Sequence, residues 1–248
     1  MDRRRADLDT AKGLGMVLVI IGHAQPPDWL QTPIYGLHMP LFFFISGLLW
    51  RGQVRLGHSA RALWRPFVLA SLASWGLWLL KQGVHTGSAA PPWWGPLLVT
   101  VWGGNLNGWL VHNTPLWFLP AMLSLLTALW LLGQRLSANT ALAVLATAGL
   151  LLVWLPGEAQ AGRWPMALGQ GLVGGFFFAL GRASDVRWLP RHPLAGALAL
   201  LSSVALALAN GRVDLFSMQF QQPLLYLDRK STRLNSSHSQ QSRMPSSA

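Results

Sequence analysis

Long stretches of this chain carry no Asp, Glu, Lys or Arg, and their lengths approach the thickness of a lipid bilayer. Charge-free intervals run over Gly13 to Pro27, Trp29 to Trp50, Pro66 to Leu80, Thr140 to Leu155, Pro165 to Leu180 and Pro193 to Ala209. A helix needs about 20 apolar residues to cross a membrane, with a range of about 17–25. The first interval is short and becomes a span by including the turn from Leu8 to Lys12. The third begins with Pro66, which a first helical turn tolerates. Gln82 to Gln134 is uncharged throughout and too long for one helix. Pro91, Pro92, Pro96, Gly103 and Gly104 break its first part, which reads as an interfacial or re-entrant segment, and Pro115 to Leu132 then reads as a span. A partial apolar stretch, Leu215 to Leu227, follows.

Charged residues make up 11% of the chain, against about 25% in a soluble domain. The 14 tryptophans agree with a membrane setting, because indoles favour the lipid–water interface. The expected fold is all-α, a polytopic transmembrane helix bundle of about seven spans plus a partial one. No alternating barrel pattern is present. The net charge of +11 points on a soluble protein to nucleic acid. Here the basic residues sit between apolar runs, so they read as topology signals and contacts to lipid headgroups, with no nucleic-acid partner. With the N-terminus in the cytoplasm and the spans alternating, twelve Lys and Arg fall inside and three (Lys81, Arg163, Arg212) outside before the tail. That bias supports seven spans with the region around Trp93–Trp109 not crossing. The basic start at Arg3, Arg4 and Arg5 is not followed by a small-residue cleavage site, so it is not read as a removable leader.

At Asp228 the composition changes abruptly. Residues 1–227 read as one membrane domain and 228–248 as a disordered polar tail, in which seven of 21 residues are serine. The change falls inside an apolar run, and the tail is expected to be foreign to the native product.

Cysteine is absent, which excludes thiol nucleophiles and Cys-ligated metal. The histidines are scattered without ligand spacing, and no metal site is expected. His23 closes the first apolar run, 14 residues after Asp9, about 21 Å along a helix. Imidazole is the natural general base for a hydroxyl near neutral pH; the alternative is a structural ring at a helix end beside Gly22. His38, before Met39-Pro40 and three phenylalanines, reads either as functional or as a helix-start residue at the external interface. Ser46-Gly47 reads as a helix-packing pair. Arg61 and Arg65 share one helix face. They serve topology and lipid phosphate, or receive a phosphorylated cosubstrate. Five tryptophans between Trp93 and Trp117, with Asn105, Asn107, His112 and Asn113, form an aromatic belt or a sugar-stacking surface.

Three patches, with the basic loop through Arg65-Pro66, carry a resemblance. They are Leu8-Asp9-Thr10-Ala11-Lys12-Gly13 leading to Gly22-His23; His38-Met39-Pro40-Leu41-Phe42-Phe43-Phe44-Ile45-Ser46-Gly47; and Pro115-Leu116-Trp117-Phe118-Leu119. They resemble the integral-membrane acyltransferase 3 family, especially its branch similar to fucose 4-O-acetylases. Members have about ten spans, so the chain is expected to be truncated at its C-terminus. The resemblance implies a multi-pass enzyme of the bacterial inner (plasma) membrane. It implies acyl transfer, usually acetyl, from acetyl-CoA as donor cosubstrate to a hydroxyl of a cell-surface or lipid-linked glycan. Carried over, His23 and Asp9 are catalytic, Lys12, Arg61 and Arg65 meet the CoA, and His38, Trp117 and Asn113 meet the acceptor. A glycolipid transporter or flippase, and a non-catalytic membrane subunit, are the alternatives.

Overall fold

The computed structural model describes residues 3–82, 93–102, 114–154 and 164–184, with scattered residues between 194 and 218. Among the described residues the chain is helical, with no strand. The helices are α1 (Arg3–His23), α2 (Asp28–Leu49), α3 (Leu56–Gln82), α4 (Gly95–Trp102), α5 (Phe118–Gly133), α6 (Ala138–Trp154) and α7 (Leu168–Ala183). Short 3₁₀ turns, Thr114–Trp117 and Pro165–Ala167, lead into α5 and α7. The expected span over residues 193–209 lies largely outside the described residues, although Leu194, Leu198 and Leu201 within it are helical. The tail from Asp228 lies outside them altogether.

α2 and α3 are each long and apolar enough to cross a membrane, and α5 and α6 are shorter apolar helices. Their outer faces are greasy. Leu69, Leu77 and Leu80 on α3 and Val144 and Leu151 on α6 are all exposed. A water-soluble fold rarely presents so much contiguous apolar surface, whereas hydrocarbon wets it without cost. Such faces suit a helix bundle set in lipid.

Two boundaries differ from expectation. α3 begins at Leu56, ten residues ahead of Pro66, which sits inside the helix. Pro66 has no amide hydrogen for the Ala62 carbonyl and its ring crowds that carbonyl, a cost that a helix packed against its neighbours tolerates. Leu63 from the added turns packs against the core, which offsets that cost. His38 is likewise no helix-start residue: α2 begins at Asp28, whose carboxylate suits the positive end of the helix, and runs through Pro33 and Pro40.

α7 is the hub of the bundle, packing against α2, α5 and α6, while α1 lies on α2 and α3 on α5. Its seam with α2 has no side chain in the middle. A Cβ placed on Gly47 would meet the backbone oxygen of Phe178, and one placed on Gly181 would meet the backbone of Phe44. Glycine there lets two backbones touch, the device by which membrane helices gain dispersion contact where no hydrophobic driving force acts between them. Larger groups fill in around the contact. Phe43, Leu125 and Phe178 are fully buried. The Phe43 and Phe118 rings meet edge to face at 5.0 Å, joining α2 to α5.

This seam sets a contrast between two glycines. Gly47→Ala overpacks it and is expected to cost about 1–3 kcal/mol. Gly76→Ala on α3, where nothing lies within 4 Å of the added carbon, is expected to be neutral or slightly stabilising. Thermal unfolding midpoints in one detergent compare the two.

Candidate active site

The last residue of α1 and the middle of α2 meet because Gly22 lets the helices close up. A Cβ on Gly22 would stand 3.0 Å from the Ile34 side chain. His23 and Tyr35 flank that contact, with ring centroids 6.0 Å apart. His38, one turn further along α2, faces Tyr35 at 5.3 Å and His23 at 6.3 Å, the two imidazoles nearly perpendicular at 88°.

Both imidazoles are held in the same way. His23 Nδ1 donates to the Val19 carbonyl at 2.9 Å, and His38 Nδ1 donates to the Ile34 carbonyl at 2.6 Å. A helical side chain leans back toward the N-terminus of its own helix, so a carbonyl four residues earlier is within reach. A carbonyl oxygen can only accept, so Nδ1 carries the hydrogen and the lone pair of the neutral ring resides on Nε2. His38 is 3% exposed, whereas His23 stands at the more open rim.

These rings line a pocket of about 60 Å³ together with Met39, Trp117, Leu215 and Phe216. Trp117 comes from the 3₁₀ turn ahead of α5 and is 3% exposed. Leu215 and Phe216 arrive from far along the chain. The Gln170 side-chain amide on α7 donates to the Phe216 carbonyl at 3.0 Å, and the Trp117 and Phe216 rings lie 6.3 Å apart. The pocket therefore combines titratable nitrogen and phenol on one side with apolar walls on the other.

Of the residues singled out in the sequence, the structure brings His23, His38 and Trp117 together. Asp9 and Lys12 form a 3.3 Å ion pair on the exposed first half of α1, away from the pocket. Arg61 and Arg65 are exposed on α3; Arg61 Nε donates to the Gly57 carbonyl at 3.1 Å, and neither arginine lines the pocket. Asn113 lies outside the described residues, as do Asn105, Asn107, Trp109 and His112. Among the described residues, no three His, Cys, Asp or Glu side chains gather as a metal site.

Sequence reasoning missed Tyr35, Met39, Leu215, Phe216 and Gln170. Tyr35 had a usable signal. It is one of two tyrosines in the chain and lies three residues before His38, hence on the same helix face. Met39 reads as ordinary apolar filling. No pattern links residues 215 and 216 to His23, because only the folded path of the chain brings them there.

The family model described as acyltransferase domain, acyltransferase 3, matches residues 5–227. No curated protein and no solved structure matches the chain.

The carbonyl anchors make a tautomer prediction. In full-length protein labelled with ¹⁵N-histidine, the His23 and His38 signals of the neutral rings are expected to show hydrogen on Nδ1. Loss of each signal in His23→Asn and His38→Asn gives the assignment. Nε2-protonated neutral rings at both positions would contradict the anchoring.

Proposed function

The chain belongs to the acyltransferase 3 family, and from that premise we propose that it is a membrane O-acyltransferase using acyl-CoA as donor and a glycan hydroxyl as acceptor. The acyl group is acetyl, the acceptor is a cell-surface or lipid-linked glycan, and the setting is the bacterial plasma membrane. The observation that carries this reading is the meeting of two imidazoles in one pocket, each with Nδ1–H tied to a backbone carbonyl.

In this reading His23 Nε2 takes the proton of the acceptor hydroxyl as that oxygen adds to the thioester carbonyl. The C–S bond then breaks, the sulfur leaves as thiolate, and the imidazolium returns the proton to it. The products are an ester and free CoA. The Val19 carbonyl helps throughout, because its hydrogen bond to Nδ1–H strengthens as the ring becomes positive. His38 and the Trp117 indole orient the acceptor, with Tyr35 packed beside both imidazoles, and Asn113 is a further acceptor contact.

The donor's phosphates lie at the opposite, basic end of the bundle. Lys12, held by Asp9, acts there with Arg61 and Arg65, so Asp9 supports the site through Lys12 and does not touch the reacting atoms. Fourteen residues of α1 separate Asp9 from His23, about 21 Å at 1.5 Å per residue, so donor headgroup and reacting carbonyl must be a long arm apart.

Two sets of variants test this. His23→Ala and His23→Asn, at wild-type membrane levels, are expected to lower kcat for acetyl transfer by about 10²–10⁴-fold. The readout is an acetyl-sized mass increment on surface glycans, or label passed from acetyl-CoA. Undiminished turnover would remove His23 from the chemistry, and glycolipid movement that needs no acyl-CoA would assign the chain to transport. Neutralising Lys12, Arg61 or Arg65 singly is expected to raise KM for acyl-CoA by about 5-fold with kcat unchanged, since each is a solvent-exposed contact.

A further inference from the structure

Apart from Trp117, the apolar side of the pocket is made by residues that the chemistry above does not use. Leu215 is 3% exposed and Met218, two residues past Phe216, is fully buried. Met218 adopts φ 53°, a left-handed conformation. The stretch is tied down from α7, where fully buried Gln170 gives its amide hydrogen to the Phe216 carbonyl at 3.0 Å. The start of α7 is itself pinned. Ser124 on α5 donates to the Met166 carbonyl at 2.7 Å, holding the turn in which Met166 and Ala167 are left-handed. The wall is thus tied to α7 at Phe216, whose ring lies beside Trp117.

We infer that Leu215 and Phe216, held by Gln170, limit the donor's acyl chain to about two carbons. This inference rests on the acyl-transfer reading of the same pocket. The chemistry of the walls argues for an acyl tail there. Met39, Leu215 and Phe216 offer no side-chain partner for the hydroxyls of a sugar ring, and burying those unpaired is costly. A methyl group needs none. Size supplies the limit. The pocket measures about 60 Å³, room for roughly two to four waters. A carbonyl carbon with one methyl occupies such a space, and a longer chain directed at this wall meets Phe216 or Leu215. One methylene in a fitted apolar pocket is worth about 10–200-fold in discrimination. Gln170 is a positioning residue in this scheme, acting through the Phe216 backbone.

The test uses the full chain in membranes, offered acetyl-, propionyl- and butyryl-CoA in turn, with kcat/KM for transfer measured for each. The wild-type chain is expected to favour acetyl over butyryl by at least about tenfold. Phe216→Ala and Gln170→Leu are each expected to shrink that preference at least about tenfold, whereas Leu180→Ala on the exposed side of α7 leaves it unchanged. Should Phe216→Ala fail to accumulate, Phe216→Leu is expected to admit propionyl while still disfavouring butyryl. Equal use of acetyl and butyryl by the wild-type chain overturns the inference, as does a wild-type ratio in the wall variants. Absence of transfer from every donor by the wild-type chain overturns the acyl-transfer reading itself, and this inference with it.

Discussion

Backbone-to-backbone contact between α2 and α7 is the constraint on which the bundle depends. Gly47 and Gly181 let the two helices approach until each touches the other's carbonyls, and the aromatic layer of Phe43, Phe118 and Phe178 forms around that contact. In lipid, helices gain nothing by hiding leucine from hydrocarbon, so closeness and shape decide which faces meet. α7 uses the same device elsewhere: Gly171 faces the Ala121 backbone of α5, and Gly149 of α6 faces the Leu172 backbone. The leucines left over point outward, where the bilayer accepts them.

That hub also explains why the pocket lies where it does. α2 carries His38, Tyr35 and Met39 on turns preceding the glycine seam, and α7 carries Gln170 in its first turn. Fixing α2 against α7 therefore sets the imidazole side of the pocket relative to the anchor of its apolar wall. α1 contributes a single ring from its last residue, positioned by the close approach at Gly22. The tie of each Nδ1 to a carbonyl four residues earlier is local and belongs to its own helix. The distance between the rings belongs to the packing. The same helix α1 carries the Asp9–Lys12 pair in its first half and His23 at its end, so its stiffness holds the two apart.

Much of the helical plan was legible in the chain. The runs ending at His23 and spanning Trp29 to Trp50 correspond to α1 and α2, and the runs after Pro115, Thr140 and Pro165 correspond to α5, α6 and α7. The reason is that absence of charge over a bilayer's thickness leaves few other choices. The start of α3 is not legible from Pro66, because packing of Leu63 and Phe67 around it lets the helix run through the proline. His23, His38 and Trp117 stood out as polar or amphipathic groups within apolar surroundings. Their meeting did not, since no spacing rule connects residues on separate helices. Five glycines within α7 form a small-residue pattern that marks it as the hub, a signal present in the sequence.

The sequence by itself determined that this chain is helical, apolar and charged chiefly at its loops, because hydrocarbon allows backbone polar groups no partner outside their own segment. It also determined which helices carry an imidazole, and that each ring has a carbonyl four residues back to hold it. Tertiary structure alone decided that His23, Tyr35 and His38 share one pocket, and that Leu215 and Phe216 close it. Those contacts join residues up to 193 positions apart, from His23 to Phe216. Contacts of that range depend on which faces pack most closely, a property of the whole bundle that no local pattern encodes.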